Sequence, residues 1–387
     1  MLYWKQVGKR FLIHGKNPLE SFTNVEKTDN YVGKRYHEIM FLTKTERIRK
    51  KVDVTIKDIA ADAGVSVSTV SRVVNGSKSV SPELKGRVMA SIEKFHFRPN
   101  AAARSLVTRN TGLVAVLEAD VRNPITALHL KQISDVCMKH DKVMIVCDYD
   151  FDQDKALLLM DNMLERNIDG LIFQGVHLNE EILERLRRFQ CPVVLGNQGP
   201  SEDMRCEFPA VTVDSYHAAK DMTRFLISEG HKHIAYVGGS SEDYTNGTLR
   251  LRGFLDGMRE ADLQVQDSDI YQGEFSTESG EKGMNQIYEN SLELPTAVVT
   301  GSDIIAAGVI RCLKAHKLKV PDDISVAGFD DSISDIYDPP LTTVRMLDQG
   351  EVFYNALFEE KGEACVNEWR YFPYQIVRRS STRRITN

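Results

Sequence analysis

The chain has 387 residues, 42% of them hydrophobic, and a formal net charge of −6. That length holds a small N-terminal unit plus a larger two-lobed core. No apolar run reaches membrane-spanning length, and residues 1–20 lack the continuous apolar core of a signal peptide. The charge is uneven. Residues 1–53 carry twelve Lys/Arg against six Asp/Glu, and residues 54–110 carry nine against four. A basic end on an acidic body suits phosphate binding at one end only.

Residues 1–53 show no clear amphipathic period and close on Arg47-Ile-Arg-Lys-Lys51. Three readings stand for them: an upstream extension with the native start near Val52 or Val54, a disordered basic arm, or a small extra domain. The pattern sharpens at residue 55. Ile56, Ile59, Ala60 and Ala63 recur at helical spacing and mark one buried stripe. Gly64 breaks this helix, because glycine takes the positive φ of a sharp turn. Ser66 is placed to cap a second helix, whose apolar stripe is Val70, Val73 and Val74. Val67, Ser68, Thr69, Ser71, Arg72 and Asn75 fall on its other face. This spacing predicts a helix-turn-helix. Arg72 can fork onto a guanine edge, Ser68 and Thr69 can bond bases or phosphates, and Val67 can meet a thymine methyl. The bland alternative is a helical hairpin with a solvated polar face. Ser81-Pro82-Glu83 starts a third helix, with Val88, Ile92 and Phe95 expected inward. Ala101–Leu106 follows as a short helical segment too small to bury much surface alone.

From Gly112 the texture changes. Short apolar runs predict strands at 113–117, 143–148, 170–173, 192–195, 211–213, 234–237, 297–300 and 324–329. Helical patterns lie at 125–140, 152–166, 179–189, 215–229, 246–261 and 303–316. Such alternation predicts parallel sheets covered by helices, in two lobes with a cleft at the strand carboxyl ends. Polar residues gather at those ends: Asp120, Asn123, Asn197, Arg250, Phe275, Asp303 and Asp330. An amide, carboxylates, a guanidinium and a ring suit a small polar metabolite, although an aspartate after a strand is commonly just a helix cap. Gly238-Gly239 reads as a turn, and His231-Lys-His233 as a solvated loop. The six cysteines lack metal spacing and read as reduced core residues of a cytoplasmic protein. No catalytic set, metal site or cofactor loop emerges, so a non-enzyme is expected.

The order Val54-Thr-Ile-Lys-Asp-Ile-Ala, Gly64-Val-Ser, Thr69-Val-Ser-Arg-Val-Val-Asn and Arg98-Pro-Asn-Ala-Ala-Ala-Arg-Ser-Leu106 resembles the headpiece of the lactose-repressor family. The likeness runs over about residues 54–384. It implies an all-α helix-turn-helix headpiece joined to an α/β, two-lobed, periplasmic-binding-protein-like (type 1) effector domain. The implied domains are 1–53 (extension), 54–98 (DNA-binding), 99–110 (hinge and linker) and 111–387 (effector-binding and dimerisation). Lobe 1 would span about 111–213 and 345–372, and lobe 2 about 214–344 and 373–387. Carried over residue by residue, DNA would meet Thr55, Val67, Ser68, Thr69, Ser71, Arg72, Asn75, Ser81, Asn100, Ala103, Arg104 and Leu106. Leu106 matches the leucine that wedges into the minor groove. The effector cleft would use Arg250, Asp303 and Asp330, with Asn123, Asn197 and Phe275 in several members. The resemblance thus implies a repressor, a homodimer on a palindromic double-stranded operator, gated by a small molecule such as a sugar. Gly196-Asn197-Gln198 departs from a frequent Asp-Arg pair, and Ser302-Asp303 from a frequent Asn-Asp. Two rivals remain: a catabolite-control-type regulator governed by a protein partner, and a sugar-binding receptor protein of the same fold.

Overall fold

The computed structural model describes residues 54–74, 80–97, 110–175, 178–359 and 366–385. The expectations for residues 1–53, Asn75, Asn100, Ala103, Arg104 and Leu106 lie outside these residues. The chain divides into two compact units, residues 1–99 and 100–387.

The first unit holds three helices: α1 (Ile56–Ala63), α2 (Val67–Val74) and α3 (Pro82–Lys94). Ile59, Ala60, Ala63, Val70, Val73 and Val88 close its core. Gly64 sits at φ 62° and ψ 41°, the left-handed geometry that lets α1 stop and α2 turn away. One expectation changes. Phe95 is exposed and Ser91 is buried instead, while Phe97 packs against the core. Helix α3 ends at Lys94, so Phe95 leaves the helical period before it can point inward.

The second unit begins with β1 (Leu113–Glu118), α4 (Pro124–Lys139), β2 (Val143–Asp148), α5 (Gln153–Glu165), β3 (Gly170–Gln174), α6 (Glu180–Leu186), β4 (Val193–Gly196) and β5 (Ala210–Val213). Then come α7 (Ser215–Ser228), β6 (Ile234–Gly239), a π turn (Tyr244–Thr248), α8 (Leu249–Glu260), β7 (Ile270–Gly273), α9 (Thr277–Asn290), β8 (Ala297–Thr300), α10 (Asp303–Ala315) and β9 (Ser325–Asp330). The chain closes with β10 (Thr342–Met346), α11 (Gln349–Phe358), β11 (Trp369–Phe372) and β12 (Tyr374–Val377).

Two six-stranded sheets result, ordered β11-β5-β4-β3-β1-β2 and β12-β10-β9-β8-β6-β7. All described pairings are parallel except β10 with β12. The fold class expected from the sequence holds. The chain crosses between the sheets three times: after β5, between β10 and α11, and between β11 and β12. Helix α11 packs on α4, with Lys139 Nζ 2.8 Å from Glu351 Oε1. An apolar cluster including Val116, Ile172, Val194, Tyr236, Phe254 and Phe353 fills the core between sheets and covering helices.

Two local readings are corrected. Gly238 and Gly239 are not a turn; they complete β6, and a side chain at Gly239 would sit 2.1 Å from the Phe275 ring. His231 is buried rather than solvated. Its Nδ1 lies 2.9 Å from Thr296 Oγ1 and its Nε2 3.1 Å from the Arg383 carbonyl. His233 meets Asp269 at 3.1 Å. The five described cysteines are free thiols. No helix among the described residues is long and apolar enough to cross a membrane.

Candidate functional site

The headpiece presents its polar face on α2. Thr55 caps α1, and both its N–H and its hydroxyl donate to Asp58 Oδ2, at 2.8 and 2.7 Å. Ser66 Oγ accepts from the Thr69 N–H at 3.1 Å and fixes the start of α2. With Val70 and Val73 buried, Val67, Ser68 and Arg72 stand exposed, and Thr69 and Ser71 are half-buried. Ser81 caps α3 through Leu84 N–H at 3.4 Å. Arg87 donates to the Gly64 carbonyl at 3.2 Å and pins the turn. The second helix therefore offers a small, hydroxyl-rich surface with one guanidinium, the chemistry that reads a major groove.

In the second unit a cavity of about 130 Å³ lies where strands of both sheets end. Six of the seven expected residues line it: Asp120, Asn123, Asn197, Arg250, Phe275 and Asp330. Asp303 does not. It opens α10 with its carboxylate turned inward, accepting from Ser334 Oγ at 2.5 Å and Thr343 Oγ1 at 2.7 Å. Burial pushes its pKa up to about 6, against the pull of those two hydroxyls. Its geometry is that of a brace holding the β9–β10 connection onto the sheet.

Arg250 is buried at the first turn of α8. It donates to the Gly301 carbonyl at 2.5 Å, to Asn246 Oδ1 at 2.8 Å and to Ser215 Oγ at 3.3 Å. Its guanidinium lies 3.6 Å above the Phe329 ring. Burial lowers its pKa, and the fields of Asp330 and Asp243 oppose that. Asp330 ends β9 at φ 117°, a strained backbone for a non-glycine residue. Burial raises its pKa well above the carboxylate range, with Arg250 opposing.

The opposite wall comes from β1, α4 and β3, and it contains residues the sequence did not flag. Glu118, His129 and Gln174 line the cavity. Asn197 Nδ2 donates to His129 Nδ1 at 2.9 Å and to Gln174 Oε1 at 2.7 Å. Burial, then the charge of Arg250, lowers the His129 pKa to about 3, so the ring is neutral. Its Nδ1 accepts, so Nε2 carries the proton. Glu118 Oε1, His129 Nε2 and Gln174 Nε2 are buried with no hydrogen-bond partner among the described residues. A buried polar atom left unpaired costs free energy, and three around one cavity mark a place for ligand atoms. One signal was legible: His129 sits four residues from both Ile125 and Ile133, on the buried stripe of α4.

The two walls also touch directly. Asn246 Nδ2 donates to the Asn197 carbonyl at 3.0 Å, and Gly199 N–H donates to Thr245 Oγ1 at 3.0 Å. Arg252 and Tyr244 both reach Glu202, at 2.6 and 3.3 Å. Gln198, at the departure from the family pattern, turns into the first sheet and donates to the Phe173 carbonyl at 3.1 Å.

A helix-turn-helix and a two-sheet body with a polar cavity at its strand ends define a DNA-binding regulator with a ligand-binding domain. Comparison with known proteins agrees. Residues 55–100 match the bacterial regulatory proteins of the lacI family, and residues 223–382 match the periplasmic binding protein-like domain. Catabolite control protein A of Priestia megaterium is 36% identical over 336 residues, covering 86% of this chain and all of the relative. The HTH-type transcriptional repressor PurR of Pectobacterium carotovorum is 34% identical over 294 residues, covering 75% of this chain and 85% of that protein. Among solved structures, the lac repressor dimer bound to operator and the anti-inducer ONPF superposes with a TM-score of 0.74 at 24% identity, covering 85% of this chain and 99% of that one. The chain belongs to the lacI family of bacterial regulatory proteins, and it is a sequence-specific DNA-binding transcriptional regulator.

Proposed function

We propose that this regulator is a homodimeric repressor of a palindromic operator, and that a small polyhydroxylated effector, a sugar, sets its operator affinity from the cavity between the two sheets. The observation that carries the effector reading is the set of three unpaired buried polar atoms around that cavity. A single water needs roughly 10–15 Å³ of such space. At about 130 Å³ the cavity therefore matches the scale of one hexose ring. An effector there touches both walls, so it biases how they close on each other. Arg72, Ser68, Thr69 and Val67 read bases, and Ser71 and Ser81 hold phosphates. The dimer bound to operator in the lac repressor structure supports the two-half-site arrangement.

The test starts by selecting a binding site from random duplexes, where a palindrome is the expected result. Operator affinity is then measured by fluorescence anisotropy with and without a panel of sugars. Asp330→Asn is expected to lose the response to the sugar that acts on the parent. A selected site without symmetry defeats the homodimer reading. A parent protein indifferent to every member of the panel defeats the effector reading. A second reading, control by a protein partner, then takes its place; the similarity to catabolite control protein A supports it.

A further inference from the structure

We propose that the ligand of this cavity is a cationic one, a sugar-sized polyol bearing a protonated amine, and that Glu118 is the residue that selects it. This rests on the effector reading above and narrows it.

Four carboxyl groups line the cavity: Glu118, Asp120, Asp243 and Asp330. Asp120 has its own cation, with Arg122 Nε 2.7 Å away. Asp330 and Asp243 lie in the field of Arg250, which for Asp330 opposes the rise that burial causes. Glu118 has none among the described residues. It is 3% exposed, and its Oε1 has no partner. Its neighbours worsen its position. Asp148, at the end of β2, repels its charge, and Tyr149 next along is a neutral phenol. Lys155 Nζ lies 3.7 Å from Asp148. Burial and Asp148 together raise the Glu118 pKa, so the group holds its proton when the cavity lacks a cation. His129 is neutral, and Arg250 is cationic but committed to Gly301, Asn246 and Ser215.

The wall is thus asymmetric in what it offers. His129 Nε2–H and Gln174 Nε2–H are donors, fit for hydroxyl oxygens. Glu118, while protonated, can pair with a hydroxyl as a neutral acid, and it pairs more strongly when it ionises against a cation. An ammonium group placed against it makes a charge-assisted hydrogen bond in a dry site, where such a bond is strong. Glu118 then gives up its proton to solvent, and binding is linked to proton release.

Proton release separates this from simpler alternatives. D-glucosamine, D-galactosamine and D-mannosamine are titrated calorimetrically against the full-length protein at about pH 6, below the ordinary amine pKa. Each is compared with its neutral parent hexose and its N-acetyl form. Repeating the titration in buffers of different ionisation enthalpy counts the protons released. The expected result is that at least one hexosamine binds about tenfold or more tighter than its parent, with net proton release on binding. In Glu118→Gln both the preference and the release should vanish. The wild-type proton count stands even if the variant misfolds. The proposal is overturned if a neutral parent or N-acetyl form binds as tightly, if hexosamine binding releases no proton, or if none of the three hexosamines binds. Operator affinity that responds to a neutral sugar alone would overturn this inference while leaving the effector reading in place.

Discussion

Replacing His129 with glutamine tests the cavity wall through its acid stability. The parent ring has a pKa of about 3 in the folded protein against 6.5 for a free histidine, because it is buried and faces Arg250. The folded state keeps the ring neutral while the unfolded chain protonates it. For a base with a lowered folded pKa, that contribution is fully present above 6.5 and is lost as pH falls towards about 3. At about pH 5 the unfolded ring gains some 1.5 units of protonation free energy, worth roughly 2 kcal/mol. Glutamine fits the test because its carbonyl can still accept from Asn197 and does not titrate. Urea unfolding of both proteins is followed by the fluorescence of Trp369, which lies in β11 of the first sheet. Between about pH 7.5 and pH 5 the parent should lose roughly 2 kcal/mol more than His129→Gln. Other carboxyl groups titrate in both proteins, so their effects cancel in the difference. Equal losses would show that His129 is not held neutral and would remove the acceptor assigned to its Nδ1.

Three other outcomes follow from the geometry. Asn246→Ala removes the bond to the Asn197 carbonyl and a partner of Arg250, costing roughly 1–3 kcal/mol; amide exchange around residues 197–202 should quicken, and unchanged exchange would show that the contact does not hold the walls together. Arg72→Ala should weaken operator binding by about 1–3 kcal/mol and relax preference at one base pair; anisotropy titrations of operator variants check this, and an intact preference removes Arg72 from base reading. Gly64→Ala forces a side chain into a φ of 62°, at about 1–2 kcal/mol; the headpiece should melt earlier by circular dichroism, and an unshifted melt would show that the turn tolerates the strain.

The headpiece was legible because its signals are local. A capping serine, a turn glycine, an isoleucine–alanine stripe and a valine stripe lie within twenty residues of each other and fix α1 and α2. The central strands were legible as continuous apolar runs, since parallel strands are buried on both faces. What escaped the sequence depends on distant partners. Ile270-Tyr-Gln-Gly273 and Trp369-Arg-Tyr-Phe372 carry mixed polarity and become strands only against β6 and β5. Helix α9 was hidden by Gly280 and Gly283, which look like breakers. In the fold Gly280 lets α9 approach α10 so closely that a side chain would fall 2.1 Å from the Ile305 carbonyl. In the cavity, position after a strand located Asp120, Asn197 and Asp330. It misplaced Asp303, because spacing does not say which way a side chain turns. It missed Glu118 and Gln174, which directly follow the predicted runs 113–117 and 170–173 and in the fold complete β1 and β3.

The threefold passage of the chain between the sheets bears on how the protein is made. Strand β11 pairs with β5, and β12 with β10, and only Pro373 lies between the two late strands. The first sheet thus waits for its edge until nearly all of the chain has been synthesised, although its other strands are finished by Val213. The tail then locks the second sheet, with Ser381 Oγ donating to the Val326 carbonyl at 2.6 Å and accepting from Thr342 N–H at 2.8 Å. On the ribosome, both lobes are therefore completed by the same last stretch of chain. A premature stop before residue 369 would leave each sheet without its late edge strand, although every residue lining the cavity would already have been made.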